Sequence, residues 1–134
     1  MTTQSEIVRR AGDYMRQGYH CSEAILMAVG EFLNLALDEN VIRASSGFAG
    51  GVGRSRDLCG AISGGVMLIG IEHGRTSADQ NDDFCQELSA RFHQRFVAEL
   101  GSSQCAALRE QHESCAILVE QAARILIDVL EEKR

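Results

Sequence analysis

The chain has 134 residues, 45% of them hydrophobic, which suits one domain with a core of its own. With aromatic residues at 5% and no Pro or Trp, that core must be built from Leu, Ile, Val, Ala and Met, as in packed helices. A formal net charge of −6 opposes a phosphate backbone, so nucleic acid is excluded as a partner.

Met1 to Arg10 mixes polar and charged residues where a secretory signal needs about 7–15 unbroken apolar ones. The expectation is a cytoplasmic chain. Ser5 caps a first helix through about Gln17, with Ile7, Val8, Ala11, Tyr14 and Met15 on one face, and Gly18 stops it. A second helix opens around His20, Cys21 and Ser22 and fades near Asn34; Asp38 caps a short third one. From Ser45 to Leu58 the chain is too rich in glycine to stay helical.

A fourth helix runs from Cys59 to about Glu72, with Gly60, Ala61, Gly64 and Gly65 as a face for close approach. Its apolar run, Ala61 to Ile71, is far short of the roughly 20 residues that span a bilayer, so no membrane span is expected. Ser77 and Gln80 have capping-box spacing ahead of a long helix striped by Phe84, Leu88, Phe92, Phe96 and Leu100, and Gly101 ends it. Ser102 or Ser103 starts a short helix with Cys105 and Leu108. Ser114 or a neighbour starts the last, with Leu118, Ala122, Ile125, Leu126 and Val129 on one side, and Glu131 to Arg134 are expected to fray. With no repeat and no linker, residues 1–134 read as one all-α bundle of about six helices.

Five cysteines in a reducing compartment point to catalytic, redox-sensing or metal-bound thiols rather than a disulfide framework. The thiolate is the reactive form, and a helix N-terminus favours it through unpaired N–H groups and the macrodipole. Cys21, Cys59, Cys105 and Cys115 each lie at or near a helix start. Cys85 sits about two turns into the long helix beside Phe84, where a free cysteine acts as a small core hydrophobe.

Cys21, then Cys59-Gly60-Ala61-Ile62-Ser63-Gly64, then Cys105 and Cys115 resemble the signature of the C_GCAxxG_C_C family. The resemblance also takes in Gly47-Phe48-Ala49-Gly50-Gly51 with Gly53-Arg54, and the segment from Phe92 to Leu100. It implies a helical redox protein of bacteria or archaea whose four cysteines fall on Cys21, Cys59, Cys105 and Cys115, with no agreed substrate.

Three readings of these residues stand side by side. In thiol–disulfide exchange, as in an oxidoreductase or a redox accessory protein, one thiolate attacks a disulfide of a partner protein or small molecule and a second cysteine resolves the product. Cys59 is the attacking candidate here, since it opens a glycine-faced helix after a mobile loop, close in sequence to Arg54 and Arg56. In the second reading Cys21, Cys59, Cys105 and Cys115 hold zinc or an iron–sulfur cluster, although the spacing lacks paired ligands. In the third, the Gly60 to Gly64 face makes a homodimer or receives a partner; dimerisation is also compatible with a redox role.

His20 is a candidate base or ligand beside Cys21, His73 a helix-terminal cation, His93 a surface group, and His112 lies between two cysteines. Gly47 to Arg56 invites a phosphate reading, but GK[ST] and a full G-x-G-x-x-G are missing, and flexible access to Cys59 is the better expectation. Asn81-Asp82-Asp83 and Glu131-Glu132 read as a favourable helix first turn and a solvated tail.

Overall fold

Thr3, not Ser5, opens the first helix: its side chain accepts from Glu6 N–H, and α1 spans Gln4–Arg16. It is the first of seven helices in a computed structural model that describes residues 2–132. Gly18 follows with φ +108°, as a stop requires. α2 spans Cys21–Phe32, and α3 spans Glu39–Ser45, capped by Asp38 accepting from Asn40 and Val41 N–H. A 3₁₀ turn, Ser46–Phe48, leads into the glycine-rich loop and α4, Gly60–His73. α5 is Asp83–Leu100, α6 Cys105–Gln111 and α7 Cys115–Glu131. The chain is all-α, as composition predicts, and no strand occurs among the described residues beyond an isolated bridge between Leu58 and Gln104.

α4 runs through the middle and is buried on most sides, from Gly60 to Gly65 and again at Leu68 and Ile69. Its glycines make this possible. A Cβ on Gly64 would lie 2.3 Å from Ser22 O, and one on Gly65 would lie 2.5 Å from the Phe92 ring. The small-residue face expected to meet a second chain therefore meets α2 of the same chain on one side and α5 on the other. α1 packs on α2 and α7, and α7 also contacts α4 and α5, so the stripes from Ile7 and Ala11 and from Leu118 to Val129 close one hydrophobic cluster. In α5, Leu88, Phe92, Phe96 and Leu100 are buried as the i, i+4 pattern predicts, with Phe92 and Phe96 edge to face at 6.2 Å.

Three further local expectations differ. Ser77 and Gln80 form an exposed turn rather than a capping box: Gln80 Oε1 accepts from Thr76 N–H, and α5 begins only after Asp82. α6 starts at Cys105 after Gln104, with Ser102 Oγ accepting from Gln104 N–H just outside it. Glu131 closes α7, and Glu132 pairs with Arg91 and Arg95, so these two are held rather than frayed. The rest of that tail, residues 133 and 134, lies outside the described residues, as does Met1.

Among the described residues, no helix is long and apolar enough to cross a membrane.

Candidate functional site

The segment before α4 folds back on itself through its own backbone. Val52, Gly53 and Arg54 donate to the carbonyls of Phe48, Gly47 and Ala49, and Arg56 and Asp57 donate to Gly50 and Gly51. Val52, Arg54 and Arg56 adopt positive φ of 66°, 64° and 62°, a region rarely entered by non-glycine residues and least of all by a β-branched one. The expected flexible entry to Cys59 is therefore a hydrogen-bonded coil, with the amides of Val52, Gly53, Arg54, Arg56 and Asp57 engaged within it rather than turned to a phosphate.

That coil is stitched to the start of α6. Cys59 N–H donates to Ser103 O at 2.8 Å, and Cys105 N–H donates to Asp57 O at 2.7 Å, which sets the Cys59 and Cys105 segments side by side. Ser46 Oγ donates to Glu23 Oε2 at 2.6 Å, and Glu23 Oε1 accepts from His20 N–H at 2.8 Å, tying the coil to the start of α2. His112, whose role was open, has Nε2 2.8 Å from Leu100 O and fixes the α6–α7 connection to the end of α5.

Cys21, Cys105 and Cys115 are the first residues of α2, α6 and α7, and Cys59 immediately precedes α4. All four line one cavity of about 120 Å³, walled elsewhere by apolar side chains such as Met15, Leu108 and Leu118. Exposure grades along it: Cys59 is 4% exposed, Cys105 8%, Cys21 is half-buried, and Cys115 is open to solvent. Cys85 is not part of this lining and packs against the core. All five are free thiols.

Helix-start position does not make the Cys59 and Cys21 sulfurs acidic. Burial pushes the Cys59 thiol up to about 12, with the neighbouring Cys21 sulfur adding to the rise; the N–H groups of Ala61 and Ile62 favour the thiolate but are outweighed. Cys21 is also raised, first by burial, against the N–H groups of Gly50 and Ser22 and with Cys115 and Cys105 adding to it. At Cys59, the attacking candidate of the sequence reading, desolvation thus outweighs the helix-end field that favours a thiolate. Arg54 and Arg56 are both exposed and border an adjoining space.

The sequence reading missed Arg109. Its Nε donates to Cys105 Sγ at 3.3 Å, one helical turn along α6, and its guanidinium charge is further favoured by that hydrogen bond and by the Cys105, Cys115 and Cys21 sulfurs. The i, i+4 spacing from Cys105 was the available signal. His20 lines the cavity mouth, whereas His73 stacks edge-on against Phe84 at 4.9 Å and His93 is exposed.

Among the described residues, no three His, Cys, Asp or Glu side chains are gathered so that they could hold a metal ion. A four-thiolate zinc or iron–sulfur centre does not fit this arrangement.

A bundle whose helix starts present four free thiols to a common cavity defines a class of helical, cysteine-based proteins. The chain belongs to the C_GCAxxG_C_C family, whose sequence profile, described as "Putative redox-active protein (C_GCAxxG_C_C)", matches residues 19–129. It is similar to a protein of Archaeoglobus fulgidus (strain ATCC 49558 / DSM 4304 / JCM 9628 / NBRC 100126 / VC-16), named as an uncharacterized protein, with 24% identity over 144 residues covering 94% of each chain. No solved structure matches the chain.

Proposed function

We propose that the protein carries out thiol–disulfide exchange through Cys21, Cys59, Cys105 and Cys115. The observation that carries this reading is their common cavity, with one sulfur at the mouth and three behind it. Cys115 is the receiving sulfur. Its thiolate attacks a disulfide R–S–S–R, forming a mixed disulfide and releasing one R–S⁻, which takes up a proton. A second thiol from the cavity then loses its proton and attacks the Cys115 sulfur, releasing the other R–S⁻ and leaving an intramolecular disulfide. Two protein thiols are oxidised and one disulfide is reduced to two thiols.

Arg109 has a positioning role, holding Cys105 through its Nε. The apolar walls around Cys59 and Cys21 keep those thiols protonated until a neighbouring sulfur is activated, which suits resolving rather than attacking groups. The electron-donating or accepting partner is a thiol or disulfide, on a protein or a small molecule.

The test is the rate at which the reduced protein consumes bis(2-hydroxyethyl) disulfide. Cys115→Ser is expected to lower it by about 100-fold or more, on the scale at which loss of a nucleophile acts, whereas Cys85→Ser leaves it unchanged. Equal rates in the two variants would remove the assignment.

A further inference from the structure

Beside the cysteine cavity lies a second one of about 400 Å³, lined by His20, Ala49, Gly50, Arg54, Arg56 and Arg109. His20, Gly50 and Arg109 line both, so the two spaces share a wall. No carboxylate side chain lines the second space, yet three arginines do. This distribution stands out in a chain of net charge −6. Arg10, Arg16, Arg75, Arg91, Arg95 and Arg124 are each paired with an acidic side chain. Among the described residues, no ion pair uses Arg54, Arg56 or Arg109; Arg9 and Arg43 are in none either, but only the first three share one cavity.

The coil holds the first two in place. Arg54 N–H donates to Ala49 O at 3.0 Å and Arg56 N–H donates to Gly50 O at 2.9 Å, while Arg56 O accepts from Ala106 N–H at 3.2 Å. Gly50 has φ +63°, and a Cβ there would sit 3.0 Å from Arg54 Cα, so a side chain in the wall between the two spaces would be strained and crowded. With the amides of Val52, Gly53, Arg54, Arg56 and Asp57 engaged within the coil, the guanidinium groups are the arginine donors that line the space for a ligand. Guanidinium forks match carboxylate, sulfonate and phosphate oxygens, and unpaired cations in a concavity concentrate anions there. Arg109 joins the two spaces, since it holds the Cys105 sulfur and also borders the arginine-lined space.

We infer that the arginine-lined space is the recognition pocket for a small anionic thiol or disulfide, whose acidic groups meet Arg54 and Arg56 while its sulfur lies across Arg109 at the cysteines. This rests on the exchange reading above for the sulfur end only. The reaction it serves is the one already balanced: two protein thiols and one anionic disulfide give a protein disulfide and two anionic thiols.

Two probes separate pocket from chemistry. Rate constants are measured at low salt for the reduced protein with 3,3′-dithiodipropionate, a dianion, and with bis(2-hydroxyethyl) disulfide, a neutral disulfide. The native protein is expected to prefer the dianion by about 10-fold or more. In the Arg54→Gln/Arg56→Gln double variant that ratio falls towards one, and Arg54→Lys/Arg56→Lys restores part of it. A ratio unchanged in the Gln variant overturns the pocket. Calorimetry with 3,3′-thiodipropionate, a dianionic thioether unable to exchange, reads the pocket without redox chemistry, and its binding is expected to weaken about 10-fold in the Gln variant. Arginine-dependent thioether binding with no reaction of either disulfide upholds the pocket and defeats the exchange reading. Reaction of both disulfides without anion preference, and with no thioether binding, defeats the pocket and upholds exchange.

Discussion

The Cys21 sulfur lies 2.4 Å from the position a Cβ on Gly60 would occupy, with Phe48 O 3.0 Å from the same point. Glycine at 60 therefore leaves room for a sulfur from α2 next to the start of α4, directly beside Cys59. Gly60→Ala is expected to destabilise the fold by about 1–3 kcal/mol through overpacking. It should also displace Cys21, raising its alkylation rate relative to native protein. Gly64→Ala meets the Ser22 backbone oxygen at 2.3 Å as well as Ile25 Cγ2 at 2.8 Å and is expected to cost at least as much, read as a lower urea midpoint.

Ser22 is fully buried, and its Oγ donates to Ser45 O at 2.7 Å, joining the start of α2 to the end of α3. Ser22→Ala removes the donor and leaves a buried carbonyl short of a partner, an expected loss of about 1–2 kcal/mol in urea unfolding.

Alkaline pH should weaken the fold. The Cys59 thiol ordinarily ionises near 9.0 and does so near 12 in the folded protein, so the folded state holds its proton more tightly than the unfolded one. The resulting stabilisation is complete below about pH 9 and is lost as pH rises through the folded value. Cys21 shifts in the same direction. The urea midpoint is expected to fall from pH 8 to pH 10.5, and to fall less steeply in Cys59→Ala, although that variant is less stable at pH 7 because it leaves a cavity.

Iodoacetamide at pH 8 should modify the cysteines in an order set by exposure and thiolate fraction. Cys115, the exposed one, is expected to react first. Cys59 is expected to lag it by about 100-fold or more, since each added pKa unit lowers the thiolate fraction tenfold. Peptide mass spectrometry against time reads the order, and early loss of Cys59 would remove it from its buried place.

Much of the backbone is legible in local signals. Asp38 and Ser114 are caps because each supplies an oxygen at the helix entrance, and Gly18 and Gly101 stop helices because positive φ costs glycine nothing. Those punctuation marks place Cys21, Cys105 and Cys115 at helix starts. Ser77 and Gln80 mislead because the same spacing also closes an exposed turn when no apolar face follows at once. The acidity of the thiols is not legible, because burial of Cys59 depends on α2, α6 and the coil arriving from distant parts of the chain. The arginine-lined space is hidden for the same reason: Arg54 and Arg56 are 53 or more residues from Arg109 and meet it only after α6 docks on the coil.

The most direct measurement is a disulfide map of the protein after oxidation of its fully reduced form by bis(2-hydroxyethyl) disulfide under native conditions. The expected product is an intramolecular disulfide drawn from Cys21, Cys59, Cys105 and Cys115, with Cys85 recovered as a free thiol. A map in which Cys85 is bridged, or in which all five cysteines remain free thiols, would contradict a shared redox cavity.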